Sequence, residues 1–195
     1  MSLWGATDSD ESKPKNLTTA EKKQVFANSS GWVLEAGSSL SGNDNTSATP
    51  EVLVAIGGLA TSIGAADVTE VEWITTAADK SAGFTLSVRV RYNEAVTVTG
   101  SPTIAVTNGN EGSGTGRGPH TLVYASGTGT NELVFSLAIA AANAATNAGD
   151  ILSIAAQSIA LAGGTIKDTA DGTTAASVVI SSALGTAAGT LTVTA

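Results

Sequence analysis

The sequence of 195 residues contains no cysteine and only one histidine, His120. The absence of cysteine excludes disulfide scaffolds, thiol catalysis and cysteine-based zinc sites. A single histidine also excludes metal sites that are built from several histidines. Lysine and arginine number 9 against 17 acidic residues, so the net charge is -8. This balance argues against nucleic acid and anionic membrane surfaces as partners, because both require clustered basic residues.

Aromatic residues make up 4% of the chain and charged residues 13%, the latter about half the usual share of a soluble protein. Hydrophobic residues reach 42%, and many of them are alanine, so a core is expected to consist of small side chains. The opening MSLWGATD lacks the basic and apolar regions of a secretory signal peptide, and no apolar run is long enough to cross a bilayer. We therefore expect a protein that is soluble after synthesis.

The first 49 residues differ in composition from the rest. Thr18 followed by Glu21 has the form of a helix capping box and predicts a short helix through Lys22 to Phe26. Residues 38–50 (SSLSGNDNTSATP) have no apolar periodicity and are typical of a flexible linker or a long loop. The polar surroundings of Trp4, Phe26 and Trp32 are consistent with a disordered terminus. They also fit an extended arm whose aromatic residues anchor it to another surface.

From residue 50 onward the pattern predicts β-strands. Phe84, Leu86, Val88 and Val90 alternate with polar residues, as in a strand with one wet face. Shorter candidates follow at 51–56, 68–75, 95–99, 103–107, 121–125, 132–138, 151–154 and 177–181. Turn residues separate several of them, and an antiparallel β-sandwich over residues 50–195 is the expected fold. Between these strands, the alanine-rich stretch 138–148 is interpreted as a loop, since no large residue gives it a face to bury.

Residues that bear chemistry are few, and each has a structural interpretation. His120 is expected at an exposed hairpin tip, and the glycine-rich stretch 109–118 is expected to be a flexible loop rather than a phosphate cradle. Asp168 and Asp171 have a spacing that suits a calcium loop, but an Asp-Gly turn explains them with fewer assumptions. The acidic face between Val68 and Ile74 is interpreted as a solvated strand surface. We therefore expect no enzyme activity and no cofactor.

Residues 86–176 resemble one repeat of the bacterial immunoglobulin-like modules found in large surface adhesins. The resemblance rests on RYNEAVTVTGSPTI at 91–104, YASGTGTNELVF at 124–135 and LAGGTIKD at 161–168, which occur in the order of the family pattern. It implies an immunoglobulin-like β-sandwich.

The N-terminal part resembles virion structural proteins of contractile-tailed phages of marine cyanobacteria. The matching residues are WGATDSDESKPK at 4–15, LTT at 17–19, GW at 31–32 and PEVLVAIGGL at 50–59. This resemblance implies a capsid decoration or cement protein on the outer surface of the virion, with a neck or tail position as the alternative. The implied partners are the major capsid protein and other virion proteins, and symmetric capsid sites favour a homo-oligomer such as a trimer.

Two functions are therefore expected from different classes. In the first, residues 1–49 form an arm and linker that dock on the capsid through Trp4, Phe26 and Trp32, and residues 50–195 form the displayed sandwich. In the second, the immunoglobulin-like domain is an adhesion module that binds host surface carbohydrate through the loop at 109–118. An enzyme such as a depolymerase ranks third, because no pair of carboxylates can be placed in a concave site.

Overall fold

The computed structural model describes residues 17–28, 31–42, 44–55, 65–109, 118–141 and 143–195. Over these residues the fold is all-β with two short helices, which confirms the predicted fold class. The helices are α1 (Thr19–Lys22) and α2 (Ser182–Ala188). The strands are β1 (Val25–Asn28), β2 (Gly31–Leu34), β3 (Glu51–Ala55), β4 (Val68–Trp73), β5 (Ala78–Asp79), β6 (Phe84–Thr99), β7 (Thr103–Asn108), β8 (His120–Ser126), β9 (Thr130–Ile139), β10 (Ile151–Ser153), β11 (Gln157–Ser158), β12 (Thr165–Asp168), β13 (Val179–Ile180) and β14 (Thr190–Thr194).

The N-terminal part forms a small antiparallel sheet in the order β1-β2-β3. Helix α1 precedes it and has the predicted capping box, with Glu21 N donating to Thr18 Oγ1 and Thr18 N donating to Glu21 Oε2. The predicted helix is shorter than expected, because α1 ends at Lys22 and Phe26 lies in β1. All four residues of β2 are buried, so these strands have a core to pack against. We name β1, β2 and β3 the N-terminal sheet.

The main sheet runs in the order β12-β6-β9-β8-β7-β10-β14-β5, and β4 pairs with β6 beside this path. Strand β6 is 16 residues long and joins the two strands predicted at 84–91 and 95–99. Its first half pairs with β4 and β9, and its last residues pair with β12. A register shift between Arg91 and Val96 marks the bend at which β6 changes partners. A small pair, β11 and β13, completes the described strands.

The main core lies on one face of β6 and follows its two-residue period. Leu86, Val88, Val90 and Tyr92 are fully buried there, whereas Arg89 and Arg91 point to the opposite face. Strand β4 contributes Val71 to this core, and α2 contributes Leu184. Helix α2 was not predicted from the sequence; it begins at the N-cap Ser181, whose side chain accepts from Leu184 N. The predicted loop at 138–148 is confirmed for its described residues after Ile139.

Candidate functional site

A cluster of charged residues covers the outer face of β4, β6 and β9. The pairing register of the three strands places these residues side by side. Glu70 lies opposite Arg91, Glu72 lies opposite Arg89, and Arg91 also lies opposite Glu132. Opposite charges directly across paired strands attract each other. The acidic face of β4, which was predicted to be a solvated strand surface, therefore forms ion pairs with the arginines of β6. One of these arginines, Arg91, is only 8% exposed.

Arg91 is the centre of this cluster. Its Nη1 lies 2.6 Å from Glu35 Oε1, and its Nη2 lies 2.7 Å from Glu132 Oε1. Longer ion pairs of 3.4 Å reach Glu70 and Glu72. A buried guanidinium needs such partners because removing an unpaired charge from water costs roughly several kcal/mol. Attraction to the four carboxylates together offsets this cost.

The cluster also fastens the N-terminal sheet to the main sheet. Arg91 Nη1 donates to the backbone oxygen of Lys23 at 2.8 Å, and Asn131 Nδ2 donates to Glu35 Oε1 at 3.1 Å. Lys23 forms an ion pair with Glu70, and β1 packs against β6. We name this set of contacts the Arg91 junction. It joins residues that are far apart in sequence and fixes where the N-terminal sheet lies.

Electrostatics inside the junction shift two pKa values. Burial raises the pKa of Glu132, and the negative charge of Glu35 raises it further, while the positive charges of Arg91 and Arg89 act in the opposite direction. For Arg91, burial lowers the pKa, but the charges of Glu35, Glu132 and Glu72 outweigh it and hold the pKa above its ordinary value. Arg91 therefore stays charged, and Glu132 is protonated more easily than an ordinary glutamate.

A cleft of about 530 Å³ opens beside the junction, along β4. Five consecutive residues of β4, 69–73, line it. Lys22 and Lys23 also line the cleft, as do Leu184, Ala187 and Ala188 of α2. The remaining lining residues are Val25, Arg91, Tyr92 and Asn131. The lining is thus partly charged and partly apolar. We name it the β4 cleft.

The three predicted capsid-contact residues have different positions. Trp4 lies outside the described residues. Phe26 and Trp32 are buried at 6% and 3% exposure, and Trp32 packs with Val25 and Leu34 in the core of the N-terminal sheet. Neither side chain is exposed, and that of Trp32 is part of this small core.

His120 is also not where the sequence predicted. It lies in β8, is 3% exposed, and its Nε2 is 2.9 Å from Thr146 Oγ1. Asn108 Nδ2 donates to Asp150 Oδ2 at 2.6 Å in the same buried region. Hydrogen bonds to the loop before β10 explain the burial of these polar groups. Of the glycine-rich stretch 109–118, only Gly109 and Gly118 fall within the described residues.

Asp168 and Asp171 form the predicted turn. Asp168 Oδ1 accepts from Ala170 N at 2.7 Å, and Asp171 Oδ1 accepts from Thr173 N and Thr174 N at 2.8 Å each. The hydrogen bond from the Thr174 hydroxyl, followed by these backbone hydrogen bonds, lowers the pKa of Asp171 to about 2. Both carboxylates hold the backbone of the turn between β12 and the bridge at Ala175.

Comparisons with known proteins identify no relative: no family model, no curated protein and no solved structure matches the chain. Among the residues that the structure describes, no three side chains of histidine, cysteine, aspartate or glutamate are grouped to hold a metal ion. In the same part of the chain, neither helix has the length and apolar character needed to span a membrane.

Proposed function

We propose that this chain is a virion structural protein that attaches to the outer surface of a phage capsid and reinforces it. In this role, residues 1–16 with Trp4 contact the major capsid protein or another virion protein. The β-rich body from residue 17 onward is displayed on the particle. Copies on symmetric capsid sites associate as a homo-oligomer, for which a trimer is the simplest case.

The Arg91 junction is the observation that carries this proposal. An attachment protein must connect the segment that binds the particle to the body that it displays. Here the described chain starts at Leu17, which packs against the core of the N-terminal sheet, and this sheet is fastened to β6 through Arg91. A segment attached at Leu17 is therefore joined to the body by a buried ion-pair cluster, which suits a mechanical connection.

A deletion of residues 1–36 is not a clean test of this proposal. It would also remove β1, β2 and Glu35, and with them the buried Phe26 and Trp32 and one ion-pair partner of Arg91. The informative deletion is shorter. It ends at residue 16 and leaves the capping box, the N-terminal sheet and the junction in place.

Incorporation into particles tests the proposal. Virions that carry this chain are purified, and the copy number of the protein is measured by mass spectrometry for the wild type, for Trp4→Ala and for a deletion of residues 1–16. We expect wild-type protein on the outer surface of the capsid in cryo-electron microscopy maps, and strong loss with both variants. Thr7→Ala is the matched control in the same segment. Absence of the wild-type protein from purified virions would overturn the proposal, as would unchanged copy number for the deletion.

A further inference from the structure

The N-terminal sheet and the main sheet have separate hydrophobic cores. Val25, Trp32 and Leu34 form the core of the N-terminal sheet, and Leu17 and Leu40 pack against it. The core of the main sheet contains none of these residues. The two sheets meet where β1 packs against β6 and at the polar groups of the Arg91 junction. A separation of the two sheets would therefore leave both cores intact.

The charged cluster that contains the Arg91 junction has an excess of one negative charge. Its ion pairs join four carboxylates to three cations. The carboxylates are those of Glu35, Glu70, Glu72 and Glu132, and the cations are Lys23, Arg89 and Arg91. An excess charge that is held away from water is costly, and a carboxylate removes it by binding a proton. The composition of the cluster therefore favours proton binding.

Docking of the N-terminal sheet places one of these carboxylates beside another. Glu35 Oε1 lies 2.6 Å from Arg91 Nη1, and Glu132 Oε1 lies 2.7 Å from Arg91 Nη2, so both carboxylates share one guanidinium. Two carboxylates that share a site increase its affinity for a proton, because their like charges repel each other. Glu35 directly follows β2, whereas Glu132 lies on β9, so the two are neighbours only while the sheets are docked.

Glu132 is the residue at which this proton binds. Its pKa is raised above the ordinary value of 4.5, by burial first and by the charge of Glu35 second. Glu72 on β4 also raises the pKa, whereas Arg91 and Arg89 on β6 lower it. When the sheets separate, these three residues stay on the main sheet with Glu132, but Glu35 leaves. Separation therefore removes one cause of the raised pKa, which couples docking to the uptake of a proton.

We propose that the Arg91 junction is a proton-dependent latch, which holds the N-terminal sheet on the main sheet at mildly acidic pH and loosens as the pH rises. The stabilisation of docking by the proton is fully present below 4.5 and is lost as the pH rises through the raised pKa of Glu132. Release takes Glu35 and the backbone oxygen of Lys23 away from Arg91. The inference goes beyond the proposed function, because it concerns how two parts of this chain associate and depends on no capsid.

Single-molecule fluorescence tests the latch in the full chain. The sequence has no cysteine, so Thr49→Cys and Ala138→Cys place one dye on the N-terminal part and one on β9, both at exposed positions. Energy transfer separates docked from undocked molecules, and urea is set to a concentration at which both are present. Circular dichroism in the same solution checks that the main sheet stays folded. We expect the docking constant to fall as the pH rises from 4.5 through the raised pKa of Glu132, by up to about tenfold per pH unit because one proton is released.

Three glutamine variants identify the carboxylates that make docking depend on pH. Glu132→Gln removes the group that binds the proton and keeps its shape, so we expect a docking constant that does not change over this pH range. Glu35→Gln removes the charge that docking adds and still offers an oxygen to Arg91, so we expect most of the pH dependence to disappear. Glu72→Gln is the matched control. Glu72 belongs to the same cluster but lies on the main sheet in both states, so we expect the pH dependence of the wild type.

Three results would overturn the inference. The first is a docking constant that stays the same or increases as the pH rises from 4.5 to neutral pH. The second is the pH dependence of the wild type in Glu132→Gln. The third is loss of the N-terminal sheet and the main sheet together at every pH, because the two sheets would then not separate as units. None of these results bears on particle incorporation, so the proposed function is tested separately.

Discussion

Arg91 Nη1 lies 2.6 Å from Glu35 Oε1, although the two residues are 56 positions apart in the sequence. The same carboxylate oxygen accepts from Asn131 Nδ2, which lies on β9. Glu35 is the residue directly after β2, so this contact joins the N-terminal sheet to two strands of the main sheet. The guanidinium of Arg91 therefore couples the stability of the N-terminal sheet to that of the main sheet.

Replacement of Arg91 tests the importance of this coupling. Arg91→Met leaves four carboxylates without their shared cation, and breaking a buried ion pair in this way costs about 3–5 kcal/mol. Arg89→Met is the matched control on the same strand face, with a side chain 30% exposed and ion pairs of 3.1 and 3.4 Å. We expect the control to cost about 1 kcal/mol or less. Urea unfolding at neutral pH measures both values, and equal losses would contradict the central role of Arg91.

Glu132 gives a prediction about pH. Its pKa is raised by burial first and by the charge of Glu35 second. A raised pKa in the folded state means that protonation of Glu132 favours folding. This contribution is fully present below the ordinary value of 4.5 and is lost as the pH rises through the raised value. Glu35→Gln removes one cause, so we expect the pKa of Glu132 to fall in an NMR titration. An unchanged titration of Glu132 in the variant would contradict the proposed coupling of the two carboxylates.

Asp171 gives a prediction of opposite sign. Hydrogen bonds from Thr174 and Thr173 hold its pKa at about 2, so the ionised form favours the folded turn. This contribution is present above the ordinary aspartate range and is lost as the pH falls toward 2. Thr174→Val removes the hydroxyl donor and should raise the pKa of Asp171. Carbon-13 NMR of the carboxyl group measures this change. Thr173→Val is the control, because the contribution of the Thr173 side chain is the smallest of those that lower this pKa.

The buried pair of His120 and Thr146 gives a fourth prediction. Thr146→Val removes the hydroxyl that lies 2.9 Å from His120 Nε2. Loss of a partner from a buried polar group costs about 1–3 kcal/mol. The control is Thr121→Val, which lies next to His120 on β8 and is exposed. We expect thermal unfolding to show a clear loss for Thr146→Val and little change for Thr121→Val. Equal midpoints for Thr146→Val and the wild type would show that this hydrogen bond does not stabilise the fold.

The strands with a clear two-residue period could be predicted from the sequence. Strand β6 alternates apolar and polar side chains because one of its faces is core and the other carries the charged cluster. Strand β2 could not be predicted in this way, since all four of its residues are buried and no alternation remains. In the motif at 161–168 the glycines have a local reason: Gly163 has a φ of +81°, and a Cβ on Gly164 would lie 2.0 Å from Thr99 O. Sequence reasoning used that motif only as a resemblance.

The candidate site was harder to predict, because its partners are distant in sequence. Glu70 and Glu72 looked solvated when they were considered on β4 alone. Their cations, Arg89 and Arg91, come from β6 and meet them only when the two strands pair in register. His120 was assigned to a surface loop for the same reason, since its partner Thr146 is 26 positions away. The alternation of arginines on β6 opposite glutamates on β4 is the signal that would have indicated the ion pairs.

The Arg91 junction determines the path along which the molecule bears tension. A force applied to the N-terminal end enters the described fold at Leu17 and passes through α1 to Lys23, where it first reaches β6 through Arg91. The hydrogen bond from Arg91 to the backbone of Lys23 lies on this path ahead of β1, and the pair with Glu35 lies after β2. The hydrogen bond to Lys23 is loaded before β1 is pulled away from β2. The guanidinium therefore protects the pairing of β1 with β2 against a force applied from the N-terminal end.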